Sequence, residues 1–267
     1  DRKLNTFPLE QILNDIEIVY NNPNVEFVYF VDSSLFYTKN RAKSIIEKIK
    51  SCNRPLPTVA TLDIRVLDEE MAEYLSDVNL MRNQFHFGMQ SMNPLALKLL
   101  GRNYTKELFE DKVKLLKRIN PAAEISFDLI YRLPGDDYNS FRETVDFALS
   151  LRPKRLNFSH LILLPGSSFF EDRNLHEFEY GNNPPFLGYS NKHYSKEDML
   201  KTFKFTNWIL AVSYYPAVQE ILYKINNAKP KVKKTEIFEA IKDYESTLFK
   251  KYYDRGDLPI SVNFSGA

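Results

Sequence analysis

The residues able to do chemistry stand at the ends of apolar runs. "PTVATLDIR" (57–65) closes on Asp63-Ile64-Arg65. "NQFHFGMQS" (83–91) closes on Gly88-Met89-Gln90-Ser91, with Asn93 and Arg102 following. "FDLIYRLPGDD" (127–137) carries Asp128 and then turns at Arg132-Leu133-Pro134-Gly135, and a similar stretch, "LILLPGSSFF" (161–170), follows one unit later. A charge inside an apolar run loses its hydration, so a carboxylate there must be paired or bound to something. Asp63, Gln90 and Asp128 therefore read as groups that are paired or bound to something rather than as helix caps. Asp32, Ser33 and Ser34 end an earlier run, and Ser33, Ser34 and Ser168 read as helix caps.

Other polar residues carry less. His86 alternates with Phe85 and Phe87 and is expected in the core or against a helix. His160, His176 and His193 lack the spacing of a metal site. The two Leu-Pro-Gly turns could meet a phosphate at a helix start, but neither matches a P-loop or a GxGxxG fingerprint. "KPKVKK" (229–234) reads as a solvated linker. The Tyr- and Phe-rich stretch 178–194 reads as a lid or as aromatic packing over a barrel mouth.

The elements that must position these groups alternate in period. Leu9, Ile12, Leu13, Ile16 and Val19 have helical spacing after Pro8. Strand patterns follow at 25–34, 57–65, 83–91, 123–133 and 154–164, separated by helical patterns, with Asp68 as an expected N-cap. Near-continuous apolar strands in βα alternation predict a parallel sheet covered by helices. In such sheets ligands sit beyond the carboxyl ends of the strands, where the polar residues above recur. After about residue 165 the rhythm changes to a loop and then to helical stretches at 196–226 and 235–253.

Composition narrows the function. With 267 residues and 43% hydrophobic content a sizeable core can be buried. Lys and Arg number 36 against 35 Asp and Glu, which offers no electrostatic reason to expect nucleic acid or an anionic membrane as the main partner. No apolar run reaches the length of a membrane span. Cys52 is the single cysteine, so no disulfide can form within the chain, and a reducing, cytoplasmic setting is expected. The start at "DRKLNTFPLEQ" is expected to be a cut from a longer polypeptide.

Three stretches in order carry a family resemblance. "FHFGMQSMNPLALKLLGRN", "FDLIYRLPGDDYNSFRETVDFAL" and "HLILLPGSSFF" resemble successive segments of radical S-adenosylmethionine (SAM) enzymes, in particular the oxygen-independent coproporphyrinogen oxidases and proteins that follow a cobalamin-binding domain. "RKLNTFPLEQILNDI" and "VEFVYFVDSSLF" fit the region after that family's cluster loop, so the resemblance covers about residues 2–170. It implies an α/β fold, a partial TIM-like barrel of parallel strands whose first strand is missing. Residues 1–175 would form that barrel and 176–267 a loop and helical extension. It implies SAM and a 4Fe-4S cluster in the intact parent, with cobalamin as a further option and nothing tightly bound to this fragment. Asp63 would lie near the SAM amino group, Gln90 and Asp128 would face the ribose, Arg102 would approach the carboxylate, and Ile130 and Leu163 would wall the adenine.

The chain departs from the family's pattern in three ways. It has no CxxxCxxC, Arg132 stands where the family has Gly, and Asp63 stands where it has Glu. The expected function is a catalytic-domain fragment of a radical SAM oxidoreductase or transferase, inactive as given. A small-molecule substrate and an upstream domain of the parent are its expected partners, without nucleic acid or membrane. The alternatives are a non-catalytic βα-barrel binding module and a conventional TIM-barrel enzyme acting on a phosphorylated substrate.

Overall fold

The computed structural model describes residues 6–31, 38–79, 84–213, 220, 224 and 232–240. Asp32, Ser33 and Ser34 lie outside them, as does most of the C-terminal helical pattern. The chain divides into two compact units, Asp1–Thr202 and Phe203–Ala267.

The first unit is α/β. Its strands are β1 (Val28–Tyr29), β2 (Thr58–Val59), β3 (Thr61–Leu62), β4 (Gln84–Gln90), β5 (Glu124–Tyr131) and β6 (Arg155–His160). β1 pairs with β2, and β3, β4, β5 and β6 form a four-stranded sheet in that order; every one of these pairings is parallel. Only Ala60 separates β2 from β3, so one short segment joins the two sheets into a partial barrel. The helices are α1 (Leu9–Asn21), α2 (Lys39–Ser51), α3 (Glu69–Ser76), α4 (Pro94–Leu99), α5 (Lys106–Ile119) and α6 (Tyr138–Ser150).

Local chemistry starts five of these six helices. Thr38, Asp68, Asn93, Thr105 and Asp137 are N-caps whose side chains accept backbone N–H groups of the first turn. Asp137 and Ser140 form a reciprocal capping box at α6. Phe109, Val113 and Leu116 of α5, and Phe141, Val145 and Ala148 of α6, are buried at helical spacing. Phe109 meets Phe127 edge-on, with ring centroids 5.8 Å apart, and Phe141 meets both Tyr131 and Phe158. These contacts identify the helix-covered face of the sheet.

Period-2 alternation then decides the other face. Phe85 and Phe87 share the face of Phe127, so His86 points the opposite way, between Thr61 on β3 and Ser126 on β5. The expectation of a core or helix-facing histidine is corrected here. His86 belongs to a half-buried interior face with Gln84, Gly88, Asp128 and Asn157.

Beyond β6 the parallel pattern stops. Ile162 forms an antiparallel bridge with Leu187, and the stretch expected to be loop contains a small antiparallel pair, β7 (Glu179–Tyr180) and β8 (Gly188–Ser190), after the short helix α7 (Ser168–Glu171). Ser167, rather than Ser168, caps α7. Helix α8 (Lys196–Ser213) follows. In the second unit Trp208 Nε1 donates to the Phe238 carbonyl at 2.9 Å, and 234–240 are helical. Among the described residues no helix is long and apolar enough to cross a membrane.

Candidate functional site

Two non-glycine residues with left-handed backbone stand at the carboxyl edge of the sheet. Gln90 ends β4 with φ +66°, and Arg132 follows β5 with φ +71°, a region that L-residues rarely enter. Gly135 (φ +87°) and Gly166 (φ +81°) take the same conformation in the two Leu-Pro-Gly turns. At Gly135 a Cβ would also lie 2.7 Å from Leu95 Cγ and 3.0 Å from the Ala96 nitrogen, so that turn seats directly on α4. Strain of this kind collects where a structure holds groups for a purpose.

Gly88 and Asp128 are register partners, as are Asp128 and Asn157. Asn157 Nδ2 donates to Asp128 Oδ1 at 2.7 Å, and no ion pair of Asp128 is found among the described residues. The register slips between Gly88 and Gln90, and the Gln90 side chain folds back over Gly88. A Cβ on Gly88 would lie 2.5 Å from Gln90 Nε2, so the missing side chain is what lets the amide lie on the interior face beside Asp128. Gln90 Oε1 is buried there without a hydrogen-bond partner, and so is the Ser126 hydroxyl. Buried acceptors are ordinarily satisfied, which makes this face a candidate to receive a ligand's donors. Burial, helped by the charge of Arg155 and opposed by that of Asp128, holds the His86 imidazole below its usual range.

Asp63 sits one strand away. Its Oδ1 accepts the Arg65 backbone N–H at 3.0 Å, and its Oδ2 meets Arg65 Nη2 at 2.5 Å and Arg102 Nη1 at 3.8 Å. Burial pushes its carboxyl up, but hydrogen bonds from Arg65 and the charges of Arg65 and Arg102 outweigh it and leave the carboxyl below the usual range. Arg102 also donates to the Tyr104 hydroxyl at 3.1 Å, and both guanidinium groups lie within 6 Å of that ring's centre. Arg65 and Tyr104 are partners that motif spacing did not single out. Ile130 and Leu163 meet in one apolar cluster with Ala96, Leu133 and Leu161, against which Phe178 and Phe186 pack. Ile130 is half-buried and Leu163 fully buried.

Of the six expected residues, Asp63 meets Arg102, Ile130 packs on the cluster that contains Leu163, and Asp128 is the register partner of Gly88, over which the Gln90 amide lies. Asp136 was not singled out in the sequence. It is 1% exposed, accepts from Ser91 Oγ at 2.9 Å and from Ser140 Oγ, and ties the end of β4 to the first Leu-Pro-Gly turn. Burial pushes its carboxyl up to about 6. Its signal was the doubled aspartate after Pro-Gly, read there only as a possible phosphate turn.

A cavity of about 660 Å³ lies between α4, the start of α5 and α6, lined by Asn93, Lys98, Arg102, Lys106 and Glu143 among others. It shares only Arg102 with the six. The interior face is the better site, because it holds the unsatisfied acceptors and the strained strand ends. Cys52 is elsewhere: it caps the C-terminus of α2, at the end of the sheet where strands begin, with its thiol directed to the Lys48 carbonyl. Among the described residues no group of three or more His, Cys, Asp or Glu could hold a metal ion.

Comparison with known proteins adds to this geometry. A family model described as the Radical SAM superfamily matches residues 1–148, more than half of the chain. The threonylcarbamoyladenosine tRNA methylthiotransferase MtaB of Aquifex aeolicus is 24% identical over 169 residues, 62% of this chain and 40% of that protein. The tRNA-2-methylthio-N(6)-dimethylallyladenosine synthase of Syntrophus aciditrophicus is 33% identical over 107 residues, 40% of this chain and 23% of that protein. The chain therefore matches less than half the length of these relatives. Among solved structures, the coproporphyrinogen III oxidase HemN of Escherichia coli, a radical SAM enzyme, superposes with a TM-score of 0.54 at 17% identity, covering 79% of this chain and 47% of that one. The methyltransferase TsrM of Kitasatospora setae, with cobalamin and a [4Fe-4S] cluster bound, gives 0.53 at 18% identity over 67% of this chain and 37% of that one. At these identities the likeness is one of fold, a partial TIM-like barrel.

Proposed function

The chain belongs to the radical SAM superfamily, whose cofactors are SAM and a 4Fe-4S cluster, and on that premise we propose that it binds SAM across the carboxyl ends of β3 to β6 and orients it toward a small-molecule substrate. The observation that carries this is the Gln90 amide, laid over Gly88 with an unsatisfied acceptor beside Asp128. A ribose diol offers two O–H donors, and Gln90 Oε1 and the Asp128 carboxylate are the acceptors that suit it. Arg102 is held to Asp63 only at 3.8 Å and is placed to meet the SAM carboxylate. Asp63 serves the amino group while sharing its charge with Arg65. Ile130 faces the adenine and Leu163 supports it from behind.

In the intact parent, the chemistry supplied by SAM with a reduced cluster is reductive cleavage and hydrogen-atom abstraction. The residues present do not fit the cluster itself. Three thiolates are required, and the one cysteine stands at the opposite end of the sheet. We therefore place the cluster ligands outside these 267 residues and read the chain as given as inactive. The same single cysteine favours the second reading, a binding module without catalysis. We retain the division into a barrel at 1–175 and an extension at 176–267. A tRNA substrate is named for the relatives above. If the parent shares it, the RNA contacts are expected from other segments, since a net charge of +1 gives this chain little hold on phosphates.

The test is equilibrium binding of SAM to the chain and to Gln90→Ala and Asp128→Asn. Each substitution is expected to weaken binding about tenfold, the worth of one good polar contact. Wild-type binding that neither substitution changes overturns the site. A longer chain with an upstream CxxxCxxC that cleaves SAM supports the enzyme; one that yields neither a cluster nor 5′-deoxyadenosine supports the binding module.

A further inference from the structure

Arg132 is a second anomaly at the same edge. The residue is 3% exposed, yet its guanidinium has no carboxylate partner among the described residues, and Nε and Nη1 find no hydrogen-bond acceptor. Nη2 donates to His160 Nδ1 at 2.5 Å, and the group lies over the Tyr131 ring at 5.3 Å. His160 gives no counter-charge: burial, then Arg132 itself, holds its imidazole down to about 4, so it stays neutral. Tyr131, whose side chain also hydrogen-bonds the guanidinium, and then Tyr194 and Tyr189 lie close enough to feel the Arg132 charge, and Asn191 Nδ2 donates to its carbonyl at 2.9 Å. A buried cation with unused donors is expensive, and its left-handed backbone adds strain that glycine would not.

A buried guanidinium with N–H donors to spare forms a setting suited to an anion. We propose that Arg132 is the receptor for an anionic group, carboxylate or phosphate, of a ligand bound at the carboxyl ends of β5 and β6. Nε and Nη1 together offer three N–H donors to it. The proposal leans on the site described above only for the ligand's location. The 188–194 segment is pinned beside Arg132 through Asn191 and through the Gly135 N–H, which donates to His193 Nδ1 at 3.2 Å.

The test is thermal unfolding of the full chain at constant ionic strength, titrated with inorganic phosphate in one arm and malonate in the other, with neither SAM nor iron present. Failure here and failure of SAM binding are then separate results. The wild type is expected to gain stability with one of the two anions, and that arm identifies the group. Arg132→Gly relieves the backbone, and its apparent anion affinity is expected to fall about tenfold or more. Arg132→Lys keeps the charge without the guanidinium geometry and is expected to retain part of the gain. A wild type indifferent to both anions overturns the proposal. So does an Arg132→Gly chain whose gain is intact, since a general salting effect needs no arginine.

Discussion

At the scale of single residues, the site depends on an atom that is absent. Gly88→Ala would place a methyl group 2.5 Å from Gln90 Nε2. The obstructing atom is the end of a flexible side chain, so the amide swings off the interior face at little cost. Stability is expected to change by less than about 1 kcal/mol, while SAM binding falls about as far as in Gln90→Ala; paired melting and binding curves check both. Asp136 makes a prediction in pH. Its carboxyl is raised from 3.8 to about 6 in the fold, so the folded state holds the proton more tightly than the unfolded chain. Its contribution is complete below about pH 4 and is lost as pH rises through 6, about 3 kcal/mol in all at 1.36 kcal/mol per unit. Unfolding free energies in urea between pH 4 and 7 should show that loss in the wild type, and Asp136→Asn should remove it from the difference.

At the scale of elements, β5 is held by aromatic contacts on its outer face and spared for chemistry on its inner one. Phe127 is fully buried against Phe109, and truncating it to alanine is expected to cost about 3–5 kcal/mol in urea unfolding. Asp137→Ala removes the α6 cap and its half of the capping box, for about 1 kcal/mol by the same measurement. The same alternation explains the misplaced histidine. An imidazole flanked by two phenylalanines looks like core in one dimension, but period 2 puts it on the face the phenylalanines leave.

At the scale of the whole molecule, the charge balance and the thiol count set what the chain can do alone. Anaerobic reconstitution with iron, sulfide and dithionite is expected to yield no stoichiometric cluster and no 5′-deoxyadenosine, because Cys52 is one thiolate at the wrong end of the sheet. Iron–sulfur absorbance together with deoxyadenosine from these residues alone would show that account to be mistaken. The exposed apolar side chains Ile162 and Leu164 just past β6, with the antiparallel bridge from Ile162 to Leu187, mark where the parallel repeat gives way to a different closure of the sheet.

Much of this was legible in one dimension. Apolar runs in βα alternation determined the parallel sheet and its strand order, because burial on both faces and the right-handed crossover leave few other arrangements. The run ends named Asp63, Gln90, Arg102 and Asp128, because a polar group in an apolar run needs a reason. Tertiary structure decided what those groups meet. Arg65 claims Asp63 through a turn of 3-10 helix at Ile64–Val66 that no pattern announced. The Gln90 amide lies over Gly88, the register partner of Asp128, only because the register slips and Gly88 makes room. Arg132 in place of a glycine was visible as a letter. Its positive φ, its burial and its donors without an acceptor among the described residues exist only when β5, β6 and the 188–194 segment converge on it, because distances across a sheet are set by packing and not by position along the chain.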